Sequence, residues 1–142
     1  MTKTPERRIS SRSVSIALKR VYEAPAKSDG SRILVDRLWP RGLSKDKAQL
    51  DLWLRDIAPS DELRGWFAHD PKRWTEFQRR YRAELKGRSD ELQPIRDALK
   101  KGKVTFLFAA HDEAHNNAVA LKGIIERRER AAAKRKSVNR LS

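Results

Sequence analysis

The chain has 142 residues, which suits a single domain with one core. It has no Cys, which excludes a disulfide framework, a cysteine zinc site and thiol catalysis. Its 33 Lys and Arg outnumber 19 Asp and Glu for a net charge of +14, but the excess sits at the ends: residues 1–20 are net +5 and residues 124–142 net +5. That distribution points to polyanion contact by the tails rather than to a basic groove in the domain, with simple solubility as the competing explanation.

Residues 1–13 read as a disordered basic arm, with Pro5 and no apolar period. Val14, Ile16 and Leu18 then alternate with less apolar positions, predicting a half-buried strand to about Tyr22. Ser28-Asp29-Gly30-Ser31 is turn chemistry. Ile33-Leu34-Val35 is continuously apolar and predicts a second strand over 32–38, buried on both faces and stopped by Trp39-Pro40-Arg41-Gly42. Ser44 is placed to cap a short helical turn, and the Leu50, Leu52, Leu54 alternation predicts a third short strand.

Three helices follow. Pro59-Ser60 opens the first, with Asp61 and Glu62 in its opening turn. Asp70-Pro71 starts the second, where Trp74, Phe77, Tyr81 and Leu85 recur at helical spacing until Gly87. Ser89 or Asp90 opens the third, which stops at Gly102. Lys103 to Ala110 reads as a buried central strand, and its apolar run is too short to cross a bilayer. His111 or Asp112 is expected to start a last helix that frays after Arg128 into a basic tail, 131–142. The predicted class is α/β: one domain over 14–130, with a small sheet of about four strands, at least partly parallel, covered by helices. No apolar leader opens the chain, and a cytoplasmic location is expected.

Two polar clusters follow apolar strands. Asp36, Arg37, Trp39 and Arg41 crowd the end of the second strand, where ligands bind in open α/β sheets. Arg37 and Arg41 are suited to bidentate capture of phosphate or carboxylate, and Trp39 offers a flat wall. The competing reading pairs Asp36 with an Arg and buries Trp39. The second cluster is Asp112, His115, Asn116 and Asn117. His115 and Asp36 are the candidate proton-transfer groups, and the Asn amides would orient a ligand. The competing reading makes Asp112 a helix cap and its neighbours surface residues.

Asp112-Glu113-Ala114-His115 spells a helicase box, but no G-x-x-x-x-G-K-[ST] loop accompanies it, so that reading fails. His111 and His115 lack a third ligand, so no metal is assigned, and no cofactor is indicated.

Three stretches carry a resemblance: Lys19-Arg20-Val21-Tyr22 with Val35-Asp36-Arg37-Leu38-Trp39-Pro40-Arg41-Gly42; Ala58-Pro59-Ser60 with Trp66 to Pro71, Phe77 and Tyr81; and His115-Asn116-Asn117-Ala118. Over roughly residues 16–127 the chain resembles the YeaO-like family of bacterial proteins, domain of unknown function 488. The resemblance implies a small cytoplasmic α/β protein and carries no substrate, reaction or cofactor with it. The family pattern usually has a basic residue where this chain has His111, a further argument against zinc.

The functional expectation is a small anionic ligand held where the two clusters meet, which requires their strands to be parallel and adjacent. The rival is nonspecific nucleic-acid association through the basic tails.

Overall fold

The computed structural model describes residues 15–141, so the expected arm over 1–13 lies outside the described residues, as does Val14. Four strands form one all-parallel sheet: β1 Ile16–Arg20, β2 Ser31–Leu34, β3 Leu52–Trp53 and β4 Val104–Phe108, in spatial order β1-β4-β2-β3. The α/β expectation holds. Among the described residues five α-helices accompany the sheet: α1 Lys45–Ala48, α2 Asp61–Phe67, α3 Trp74–Leu85, α4 Gln93–Lys101 and α5 Asn117–Leu141.

β4 is central, and all five of its residues are buried. Phe106 lies in register with Leu18 of β1 and Ile33 of β2. Side chains alternate across a strand. Val104, Phe106 and Phe108 therefore join the main core, with Phe77, Tyr81, Ile95, Leu121 and Ile125 from the helices. On the opposite face, Leu107, Val21 and Leu34 form a small second core covered by Trp39, Leu43, Leu50 and Trp53.

The helix starts follow their caps. The Ser60 hydroxyl accepts from the Leu63 amide and is itself held by Glu84, fixing α2 to α3. Asp70 accepts from the Lys72 amide with Pro71 next, and a single 3₁₀ turn, Pro71–Arg73, runs directly into α3. Pro94 lies in the first turn of α4, where its missing amide breaks no helical bond.

Before β2 the chain needs glycine. Gly30 has φ +67°, and a Cβ there would lie 2.2 Å from the Lys103 carbonyl oxygen. That same carbonyl accepts from the Ser31 amide at 2.9 Å, so Gly30 lets β2 enter the sheet beside β4.

Three expectations are corrected. β2 ends at Leu34, not near Leu38, although the Val35 amide still donates to Leu107 at 3.2 Å. The chain leaves the sheet there because Asp36 turns its carboxylate onto the backbone of the segment after β4. The last helix begins at Asn117, about five residues later than expected. It also runs on to Leu141 instead of fraying after Arg128. No helix among the described residues is long and apolar enough to cross a membrane.

Candidate functional site

The sheet is parallel, and β2 and β4 are neighbours. Both polar clusters therefore emerge at the same edge, beyond the carboxyl ends of the strands. A cavity of about 610 Å³ opens there. Its polar lining includes Asp36, Arg37, Arg41, Asp61, Arg64 and Asn117; its apolar lining includes Tyr22, Trp39, Phe67 and Phe77.

Asp36 ties the edge together. Its Oδ2 accepts from the Ala109 amide at 2.9 Å, and its backbone carbonyl accepts from Trp53 Nε1 at 2.8 Å. Asn117 donates to the Val35 carbonyl at 2.9 Å and also reaches the Asp36 carboxyl. From the other side, Arg20 donates to the Ala109 and Ala110 carbonyls at 2.8 and 3.0 Å. The segment after β4 is thus held between β1 and β2.

Burial is the largest influence on Asp36 and raises its pKa; the Ala109 amide, the Asn117 amide and the Arg64 charge act the other way without cancelling it. The consequence for stability has a definite sign. A carboxyl raised by folding stabilises fully below its unfolded value, and that contribution is lost as pH rises through the folded value. Asp36→Asn keeps the shape and removes the charge. Its melting temperature will gain on the wild type as pH rises above about 4, then level off. The gap grows by about 1.4 kcal/mol for each unit of displacement. A gap that stays constant from pH 3.5 to 8 would show that Asp36 ionises as freely in the folded protein as in the unfolded chain.

Arg37 is the least satisfied polar group of the site. Its Nε is buried with no hydrogen-bond partner. One terminal nitrogen lies 3.5 Å from the Pro59 carbonyl, and Nε lies 3.5 Å from Asp61 Oδ1. Asp61 is mostly exposed and is held more closely by Arg64, which is also the main reason its carboxyl lies below the ordinary range. Arg41 joins these two guanidiniums at the cavity, while its backbone carbonyl accepts from the Tyr22 hydroxyl at 2.9 Å. Three guanidiniums and two carboxylates thus line the cavity, and burial makes one of the two, Asp36, a weaker acid than usual.

Trp39 is neither fully buried nor free. Its Nε1 donates to the Leu43 carbonyl at 2.6 Å, and its ring meets Trp53 edge-on at 5.2 Å. The second cluster divides. Asn117 faces the cavity. Asn116 also lines it but is 3% exposed, and its amide is already engaged: Oδ1 accepts from the Val119 amide as the cap of α5, and Nδ2 donates to the Asp112 carbonyl. Asp112 does not cap the helix. It accepts from the Ala114 and His115 amides and from His115 Nδ1, all near 3.0 Å, and so closes the turn before it. The Ala114 amide is the main reason its carboxyl is held below the ordinary value. His115 packs edge-on against Trp74 at 5.3 Å, and neither it nor Asp112 lines the cavity.

Sequence reasoning missed Asp61, Arg64, Pro59 and His69. The first two read as an ordinary pair three residues apart on a helix surface. Pro59 read only as the opening of a helix, and His69 only as part of the Trp66 to Pro71 stretch. Ala68 and His69 both have positive φ, 45° and 56°, beside the cavity, a conformation unusual for residues other than glycine. Among the described residues, no group of three or more His, Asp or Glu is placed to hold a metal ion.

The fold and site define a small parallel α/β protein with a cationic crevice at the carboxyl end of its sheet. The chain belongs to the YeaO-like DUF488 family: residues 15–140 match the family described as "Inactive DUF488-N3 subclade". It is similar to the uncharacterized protein YeaO of Escherichia coli K12, with 42% identity over 108 residues, 76% of this chain and 94% of that one. It is also similar to the uncharacterized protein Rv3073c of Mycobacterium tuberculosis H37Rv, with 38% identity over 117 residues, 82% of this chain and 98% of that one. No solved structure matches the chain.

Proposed function

We propose that this is a cytoplasmic protein that binds a small anion, a phosphate or carboxylate compound, in the crevice at the carboxyl end of the sheet. Arg37, Arg41 and Arg64 grip the anion, Trp39 walls it, and Asn117 orients it. The observation that carries this reading is the buried Nε of Arg37 beside the cavity, which makes no hydrogen bond and has only the Asp61 carboxylate near it, at 3.5 Å. A buried donor without a partner costs about 1–3 kcal/mol, and a ligand oxygen would supply the missing bond. Asp61 serves as the resident counter-ion that the ligand displaces from Arg64 and Arg37. Asp36 is the proton-holding group: its charged form repels the ligand, so binding weakens as pH rises. The subclade's description as inactive favours binding without turnover. His115, held by Asp112 and Trp74, takes no part in the binding.

The test is a melting-temperature screen of the full chain against orthophosphate, sulfate, nucleotides, sugar phosphates and carboxylic acids. At a hundred times its Kd a ligand adds about 2.7 kcal/mol, or roughly 5–11 °C for a chain of this size. Arg37→Gln should abolish the shift relative to its own baseline, and Asp61→Asn should enlarge it. The reading fails if the panel is flat, or if both variants respond as the wild type does.

A further inference from the structure

The excess charge near the carboxyl end of the chain is not carried by a frayed tail. It lies on α5, which at about 1.5 Å per residue is roughly 37 Å long. The helix is anchored to the sheet only over its first part. Ala118, Ala120, Leu121, Ile124 and Ile125 are buried, and Glu126 accepts from the Ile16 amide at 2.9 Å. From Arg127 to Lys136 no residue is buried. That stretch carries Arg127, Arg128, Arg130, Lys134, Arg135 and Lys136 against Glu129 alone.

Helical spacing places Arg127, Arg130 and Lys134 on one ridge, at i, i+3 and i+7, and all three are exposed. Arg128 and Arg135 lie beside that ridge, and Glu129 lies on the far side. Among the described residues, none of these six cations is in an ion pair. The contrast with α3 is direct, since Arg79 and Arg80 there are both paired with Glu76. Clustered, unneutralised cations on a projecting helix repel one another unless a polyanion faces them.

We infer that the exposed ridge of α5 is a docking surface for duplex DNA, bound through its phosphates. The chemistry separates this partner from others. A membrane-surface helix needs a broad apolar face, and residues 127–136 offer only Ala131, Ala132 and Ala133. Single-strand binding relies on aromatic stacking, and α5 has no aromatic residue. Arginine-rich helical surfaces suit the evenly charged duplex backbone, and an α-helix fits the B-form major groove. From Arg127 to Lys136 the helix runs about 14 Å, alongside roughly eight duplex phosphates. The surface is separate from the crevice, so neither reading depends on the other.

The experiment measures binding of the full chain to a labelled mixed-sequence duplex across 50–200 mM salt. Arg127→Gln/Arg130→Gln/Lys134→Gln is compared with Lys45→Gln/Lys86→Gln/Lys101→Gln, which removes the same charge from exposed positions in the domain. Glutamine retains helix propensity, and circular dichroism checks that the helix persists. The helix variant should lose at least tenfold in affinity, and its slope of log affinity on log salt should fall by about 2.7, close to 0.9 per lost phosphate contact. The control should change little. Equal weakening of both variants overturns the inference, because net charge rather than the ridge would then be responsible. So does wild-type protein that ignores the duplex at 50 mM salt. So does wild-type protein drawn off the duplex by phosphatidylserine vesicles.

Discussion

Replacing Phe106 with Ala will lower stability by roughly 3–5 kcal/mol, the usual cost of emptying a buried phenylalanine site. For a chain of this length that is a fall of about 6–20 °C in melting temperature. Phe106 is fully buried on the central strand, paired across to Leu18 and Ile33, and it faces the larger core. The rigid sheet behind it cannot collapse into the space. Leu107→Ala is the matched comparison, because Leu107 faces the small core on the other side of the same strand. Its loss should be the lesser of the two by thermal and urea unfolding. Equal or reversed losses would mean that the Trp39–Trp53 face contributes as much packing as the helical face.

Asp29→Ala should be comparably damaging for an electrostatic reason. Asp29 is 6% exposed, and it faces Arg32, which is 5% exposed, and Lys19 at 3.1 Å. Burial pushes the Asp29 carboxyl upward, but the Ala26 amide, Lys19 and Arg32 together outweigh it and hold the group below its ordinary value. Without Asp29 the Arg32 guanidinium keeps its bonds to the Gln49 and Ala48 carbonyls but loses its counter-charge. Removing one partner of a buried pair costs about 3–5 kcal/mol. The pH dependence follows. A carboxyl lowered by folding stabilises above its unfolded value and loses that contribution as pH falls through the folded value. The gap between wild type and Asp29→Ala should therefore be full at pH 6 and shrink below about pH 4. The double variant Asp29→Ala/Arg32→Met should recover part of the loss, since the stranded cation goes with it. If it recovers none, hydrogen bonding rather than charge sets the cost. Asp29 lies toward the amino end of β2, so the anion response of the crevice should survive both variants in proportion to the folded fraction.

Much of this architecture was determined by the sequence itself, because the relevant signals are local. The near-continuous apolar run from Val104 to Phe108, broken only by Thr105, marks a strand buried on both faces, and β4 is the centre of the sheet. Ser60, and Asp70 with Pro71, mark helix starts through bonds spanning only two or three residues. The spacing of Phe77, Tyr81 and Leu85 marks the buried face of α3. Sequence also placed the 36–41 turn and the 112–117 cluster at one end of the sheet on one condition, that their strands be parallel neighbours, as β2 and β4 are; of that cluster only Asn116 and Asn117 line the cavity.

What sequence could not determine depended on pairings between distant residues. Asp112 and Asn116 are equally good caps by local chemistry. The helix starts at Asn117 because Asn117 reaches the Val35 carbonyl, 82 positions away, and buries Asn116 beside it. His115 leaves the crevice because Asp112 and Trp74 hold its ring. Arg64 and Asp61 enter the site because Arg37, in the turn after β2, meets Pro59 and Asp61 at the start of α2, a placement that no spacing within α2 encodes. Local propensity decides which segments become helix or strand; only the assembled sheet decides which of their polar groups share a cavity and which charges are left without a partner.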